Sequence, residues 1–147
     1  KKGAIYTSLF FLRHLKTNYN RDNIISGQED SDILSGQRLM NLPPSNFRFD
    51  SVLCSPLKRC RATIGLIPDS NIPSISYMNE LSERNMGVLE GVNKFKAREL
   101  YPSLFCGNKV DISASIPNGE SIYDVQQRLK KIVDYIRANQ EKNILIC

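Results

Sequence analysis

The junction across residues 50–66 most restricts what this chain can become. Asp50-Ser51-Val52-Leu53-Cys54-Ser55 reads as a short buried strand, and a helix follows at once, with Ser55 as N-cap, Pro56 as its first residue and 57–66 as its continuation. A strand that runs directly into a helix is the unit from which parallel sheets are built. The unit recurs along the chain. Residues 4–12 have the Ile, Tyr, Thr and Phe content of a buried central strand; 74–77 form another short strand; 92–101 form a helix stopped by Pro102; and 143–147 start a further buried strand. Ser121 and Asp124 make a capping box for a long helix whose buried stripe is Ile122, Val125, Leu129, Ile132, Val133 and Ile136. Between these elements, 18–31 reads as loop, 33–42 as a short amphipathic helix ended by Pro43-Pro44, and 103–117 as irregular. The expected fold is therefore α/β with a mainly parallel sheet. At 147 residues and 41% hydrophobic content, one domain is the expected organisation.

In such sheets ligands gather at the carboxyl ends of the strands. Arg13-His14 directly follows the first strand and Ser55 to Arg59 the second, so both are expected to face one pocket. His14 is the only histidine, set beside Arg13 and Lys16 with Thr17, Asn18 and Asn20 close behind. Lys58, Arg59 and Arg61 crowd a helix start where the macrodipole is already positive, an arrangement that suits an anion. A solvated basic helix start remains the alternative. A histidine in this setting serves as a base, a phosphate contact or a nucleophile. A neutral imidazole can attack phosphorus if Arg13 and Arg59 neutralise the nonbridging oxygens and a carboxylic acid near Gly87 protonates the leaving oxygen.

Charge alone decides less. Twenty Lys and Arg against fifteen Asp and Glu give +5, which suits a phosphorylated substrate, a nucleic acid, an anionic surface or simply a solvated exterior. There is no nucleic-acid motif or aromatic stacking platform, and no apolar run approaches a membrane span, so neither nucleic acid nor membrane is an expected partner. The oligomeric state has no signature here. Cys54, Cys60, Cys106 and Cys147 lack CxxC spacing and read as reduced thiols, and no signal peptide is evident, so the expected location is cytoplasmic. The chain starts at Lys1 and stops within the apolar run Ile144 to Cys147, and it reads as a piece of something longer.

Four words in order then resemble the histidine phosphatase superfamily, the phosphoglycerate-mutase-like proteins with an Arg-His-Gly signature. Arg13-His14-Leu15-Lys16-Thr17-Asn18-Tyr19-Asn20 is similar to R-H-G-[EQ]-T-x-x-N, and Ser55-Pro56-Leu57-Lys58-Arg59-Cys60-Arg61-Ala62-Thr63 to S-P-L-x-R-A-x-x-T. Leu81-Ser82-Glu83, with Gly87 and Glu90-Gly91, resembles L-x-E-x-x-x-G-x-x-E-G; Pro117-Asn118-Gly119-Glu120-Ser121, with Asp124 and Arg128, resembles P-x-G-E-S-x-x-D-x-x-x-R. The resemblance implies a three-layer sandwich over 1–147, a histidine phosphatase domain lacking its C-terminal part. It implies His14 as the phosphorylated nucleophile, Arg13 and Arg59 as the phosphate clamp, Glu83 as proton donor, and Asn20 as a further polar contact near the phosphate. Desolvation or the departing dianion is expected to keep Glu83 protonated. Lys16 and Thr17 are candidate substrate contacts, Glu120 and Ser121 are expected to cap the long helix, and no metal or other cofactor is implied.

The departures from the pattern are specific. Leu15 stands where the family has Gly and Lys16 where it has Glu or Gln. A second histidine expected just after the strand 143–147 is not in this chain, so the chain as given is expected to be impaired. Only 36 residues lie between Glu83 and Glu120, where cofactor-dependent mutases carry a long insertion, and this favours a phosphomonoester hydrolase acting on a small phosphorylated metabolite. The substrate-determining region is expected at 86–117, with Lys94, Lys96, Arg98 and Lys109. The alternatives are a phosphoglycerate-type mutase and a catalytically impaired module of the same fold that binds a phosphoanion or acts as a scaffold.

Overall fold

The computed structural model describes residues 6–139 and 142–147. Its main sheet contains β1 (Ser8–Phe11), β2 (Ser51–Cys54), β3 (Ile75–Tyr77) and β6 (Asn143–Ile146), ordered β1-β6-β2-β3 with every pairing parallel. β4 (Phe105–Cys106) and β5 (Lys109–Val110) form a separate antiparallel hairpin. The helices are α1 (Asn18–Arg21), α2 (Lys58–Ile64), α3 (Lys94–Leu100) and α4 (Ile122–Asn139).

Strand alternation sorts the core into two layers. Val52, Cys54 and Leu145 pack with Cys60 and Ile64 of α2, whereas Leu53, Ile144 and Ile146 pack with Ile132 of α4. Helices on both faces of a parallel sheet make the expected three-layer sandwich. Phe10, Phe47 and Phe49 close the α2 layer with edge-to-face contacts at centroid separations of 5.0–5.7 Å. A third apolar cluster, Ile25, Leu89, Ala97, Leu104 and Ile116, forms its own centre around α3. That satellite positions the loops beside the sheet's carboxyl end.

Several expectations are corrected. The first strand is not central among the described residues: β1 pairs only with β6, all four of its residues are exposed, and Phe11 reaches 77%. Apolar composition cannot distinguish an edge from a centre, because pairing partners come from far along the chain; residues 4 and 5 lie outside the described residues. No helix forms over 33–42. Gly36 sits at φ +74°, and Gln37 donates to the carbonyls of Lys16 (2.7 Å) and Leu34 (3.0 Å), laying this segment along the loop after β1. The supposed loop 18–31 contains α1, started by a Thr17–Asn20 capping box. On α4 the Ser121–Asp124 box forms as expected, with the Ser121 N–H and hydroxyl donating to Asp124 at 2.8 and 2.7 Å, but only Ile132 of the stripe is buried. Leu129 and Val133 are exposed because the sheet contacts a narrow part of the helix.

Two of the quoted words meet backbone to backbone. Gly87 has φ +48°, and a Cβ there would lie 2.1 Å from the Pro117 carbonyl oxygen and 2.6 Å from the Gly119 nitrogen. Gly119 in turn leaves room for the Asn85 carbonyl. Gly36, also at positive φ, has nothing within 4 Å of its virtual Cβ. Gly36→Ala should therefore cost only the left-handed backbone strain that it introduces, about 1 kcal/mol, and Gly87→Ala at least about twice that because fixed backbone must move. Paired urea unfolding curves check the order.

Candidate active site

His14 leaves the end of β1 in a loop that four side chains hold. The Leu15 N–H donates to the Thr63 hydroxyl (3.0 Å), which itself donates to the Arg59 carbonyl (2.7 Å), tying the loop to α2. Gln37 pairs with both backbone groups of Lys16. Thr17, with no exposed surface, accepts from the Asn20 N–H (3.2 Å) while Asn20 Oδ1 accepts from the Thr17 N–H (3.0 Å). The Thr17 hydroxyl is thus committed beneath the surface, whereas Asn20 lines the pocket with its amide N–H groups unpaired among the described residues.

The imidazole geometry fixes a tautomer. Nδ1 lies 2.7 Å from the Leu15 carbonyl oxygen, which can only accept, so Nδ1 carries a proton. The neutral ring then has its lone pair on Nε2, which meets no protein partner among the described residues. Around it, Arg13, His14, Asn20, Ser26, Glu83 and Lys94 line a depression of about 350 Å³, continued by a second of about 350 Å³ past Lys16. Arg13, Lys16 and Lys94 have no acidic partner among the described residues, in contrast to Lys58, Arg59, Arg128 and Lys131. Unpaired cations beside an unpaired imidazole nitrogen make an anion site.

Arg59 is organised differently. Its side chain is 1% exposed, and the guanidinium donates to the Gly27 carbonyl (2.6 Å), the Glu29 carbonyl (3.1 Å), Asp30 (3.4 Å) and Glu83 Oε2 (2.8 Å). Its Nε is buried without a partner among the described residues. The arginine expected in the phosphate clamp is therefore already bound to a carboxylate. The anion expected at the start of α2 is also internal: Asp30 accepts from the Lys58 and Arg59 N–H groups. This corrects the cap as well, since α2 begins at Lys58 and Ser55 accepts only from the Leu57 N–H (3.3 Å). Even so, Arg13, His14, Ser55, Arg59 and Glu83 do line a common recess of about 160 Å³.

Glu83 is 47% exposed, so the expected desolvation is not supplied in this state. Its loop is held from behind. Glu120 does not cap α4; it receives Arg128 Nε (2.8 Å) and Nη2 (3.1 Å) and the Asn85 N–H (2.9 Å), while Arg128 also donates to the Glu80 and Glu83 carbonyls. Arg84 donates to the carbonyls of Glu120, Ile112 and Ala114. Glu90 accepts from the N–H groups of Gln28, Glu29 and Met86, fastening the 26–30 loop to the Glu83 word. Thr63 and Glu90 stood in the quoted words without a role, while Asp30, Gln28 and Gln37 had no local signal because their partners are remote in sequence.

The sequence profile of the histidine phosphatase superfamily (branch 1) matches residues 9–147. The chain belongs to that superfamily. A broad-specificity phosphatase of Saccharomyces cerevisiae is 36% identical over 101 residues, covering 62% of this chain and 44% of that protein. A Schizosaccharomyces pombe protein named as a phosphatase is 31% identical over 156 residues, covering 95% of this chain and 66% of its own length. This histidine phosphatase superfamily chain thus spans less than two thirds of both relatives. Phosphoglycerate mutases also match. The α-ribazole phosphatase structure from Shigella flexneri aligns with a TM-score of 0.74 at 26% identity, over 94% of this chain and 71% of that one.

Burial of Glu120 opposes its ionisation, but the Arg128 hydrogen bonds, the Asn85 N–H and the Arg128 charge outweigh it and hold the carboxyl below its ordinary value. A folded pKa below the unfolded value of about 4.3 gives stability that is complete above that value and lost as pH falls through the folded one. Glu120→Gln should cost about 1.5–3 kcal/mol near neutral pH. The gap from the wild type should shrink steadily in unfolding measurements taken toward about pH 3.

Proposed function

We propose that this chain carries the phosphoryl-accepting site of a phosphomonoester hydrolase acting on a small phosphorylated metabolite through a phosphohistidine at His14. The observation that carries this reading is the pinned tautomer: Nδ1 bonded to the Leu15 carbonyl leaves Nε2 as a nucleophile among unpaired Arg13, Lys16 and Lys94. The phosphate takes the place of Glu83 as the anion on Arg59, with Arg13 completing the clamp and Asn20 donating to a phosphate oxygen. Nε2 attacks phosphorus as the ester P–O bond breaks, and the released Glu83 carboxyl, protonated beside the dianion, gives its proton to the leaving alkoxide. Glu83 then takes a proton from the water that attacks phosphohistidine, releasing phosphate and restoring the imidazole.

These steps use side chains of the chain alone. Lys94 lines one of the two depressions at His14 and Lys16 the other, and both favour substrates carrying a second anionic group, while Thr17 supports the loop. Among the described residues no helix is long and apolar enough to cross a membrane. The four cysteines are free, which suits a reducing compartment such as the cytoplasm. The mutase-named relatives favour one second reading, in which phosphohistidine returns its phosphoryl group to a substrate hydroxyl instead of water.

The test is labelling of the full-length protein with a phosphorus-32 monoester, quenched in alkali because the N–P bond is acid-labile. Label on the wild type and none on His14→Asn is expected; an unlabelled wild type that still turns over would refute a phosphohistidine route. Glu83→Gln should slow hydrolysis of an alkyl phosphate by about 10²–10⁴-fold. It should affect p-nitrophenyl phosphate far less, because nitrophenolate leaves without a proton.

A further inference from the structure

Three of the four thiols converge beside the pocket, and the phosphoryl chemistry uses none of them. The Cys147 N–H donates to the Leu53 carbonyl (3.0 Å) and the Cys147 carbonyl accepts from the Ser55 N–H (2.7 Å), which sets Cys147 beside Cys54 in the parallel ladder. Cys54 and Cys60 are buried in the apolar layer under α2, and Cys147 packs against that layer. The Cys147 sulfur lies 4.0 Å from the Cys60 carbonyl oxygen. Cys60 and Cys147 also line the recess of about 160 Å³ shared with His14, Arg59 and Glu83, whereas Cys54 has no exposed surface and turns its thiol to the Ser55 carbonyl at 3.2 Å.

We infer that Cys60 and Cys147 form a hydroperoxide-sensitive thiol pair whose oxidation to a disulfide closes the floor of the His14 pocket. A buried thiol in apolar surroundings is inert, but these two line the recess that holds Arg59 and His14, and its volume of about 160 Å³ admits a molecule as small as hydrogen peroxide. Their protonation is unequal. A hydrogen bond from the Cys147 thiol, with help from the Arg59 charge and Ser55, outweighs burial and draws Cys60 toward the thiolate. Contacts with Cys54 and Cys60, and burial, keep Cys147 protonated. The Cys60 thiolate attacks one peroxide oxygen, the O–O bond breaks, and hydroxide takes up a proton to leave as water, giving a sulfenic acid. The Cys147 sulfur then attacks the Cys60 sulfur, the S–OH bond breaks, and that hydroxide departs with the Cys147 proton as a second water. Two thiols are oxidised and one peroxide is reduced.

The test treats the full chain with a slight excess of hydrogen peroxide, alkylates the remaining thiols and maps peptides without reduction. A Cys60–Cys147 linkage, loss of two free thiols and reversal by dithiothreitol are expected. Affinity for inorganic phosphate should be lost on oxidation and return on reduction, and Cys147→Ala should keep its phosphate affinity through the same treatment. The thiol map does not depend on any catalytic reading of His14. Oxidation confined to the exposed Cys106, a Cys54–Cys147 linkage, or a Cys60–Cys147 linkage that leaves phosphate affinity unchanged would each overturn the inference.

Discussion

A buried guanidinium joins three parts of the chain that lie far apart in sequence. Arg59 is anchored on α2, yet its donors reach the carbonyls of Gly27 and Glu29, the Asp30 carboxylate and Glu83. A cation with 1% exposure tolerates this position only because anions and carbonyls surround it, and removing one of them leaves charge uncompensated in a poorly solvated place. The 26–30 loop, the α2 start and the Glu83 loop are therefore fixed relative to one another before any ligand arrives.

Around that cation, the acidic residues divide into anchors and exchangeable partners. Asp30 caps α2, Glu90 collects three backbone N–H groups, and Glu120 grips Arg128, so each of these carboxylates is saturated by fixed donors. Glu83 differs. It is half exposed and its carboxylate holds only Arg59 among the described residues, so it is the least fixed of the four. The same distinction holds for the cations: Arg59 and Arg128 are anchored by fixed acceptors, while Arg13, Lys16 and Lys94 stand open to the pocket.

The glycines of the motif words show why their spacing carries information. Gly87 and Gly119 let two loops touch through their backbones, which sets the distance from Glu83 to the Arg128–Glu120 pair behind it. A side chain at either position would push the loops apart and move the carboxylate, so these words encode a separation between loops as much as a local turn.

The parallel α/β arrangement, the strand-to-helix junction at β2, the capping box of α4 and the gathering of His14, Arg59 and Glu83 were legible in the sequence, because alternation, capping and motif order are local properties. The edge position of β1, the irregular path of 33–42 and the capping of α2 by Asp30 instead of Ser55 were not. Each depends on a partner many residues away: β6 for β1, the Lys16 backbone for Gln37, and the 26–30 loop for α2. The sequence by itself determined which residues are candidates for phosphoryl chemistry and at which end of the sheet they would stand. Only the tertiary structure decided that Arg59 is buried and already paired and that Glu120 braces a loop instead of a helix. These outcomes follow from hydrogen-bond partners that meet only when the chain has closed.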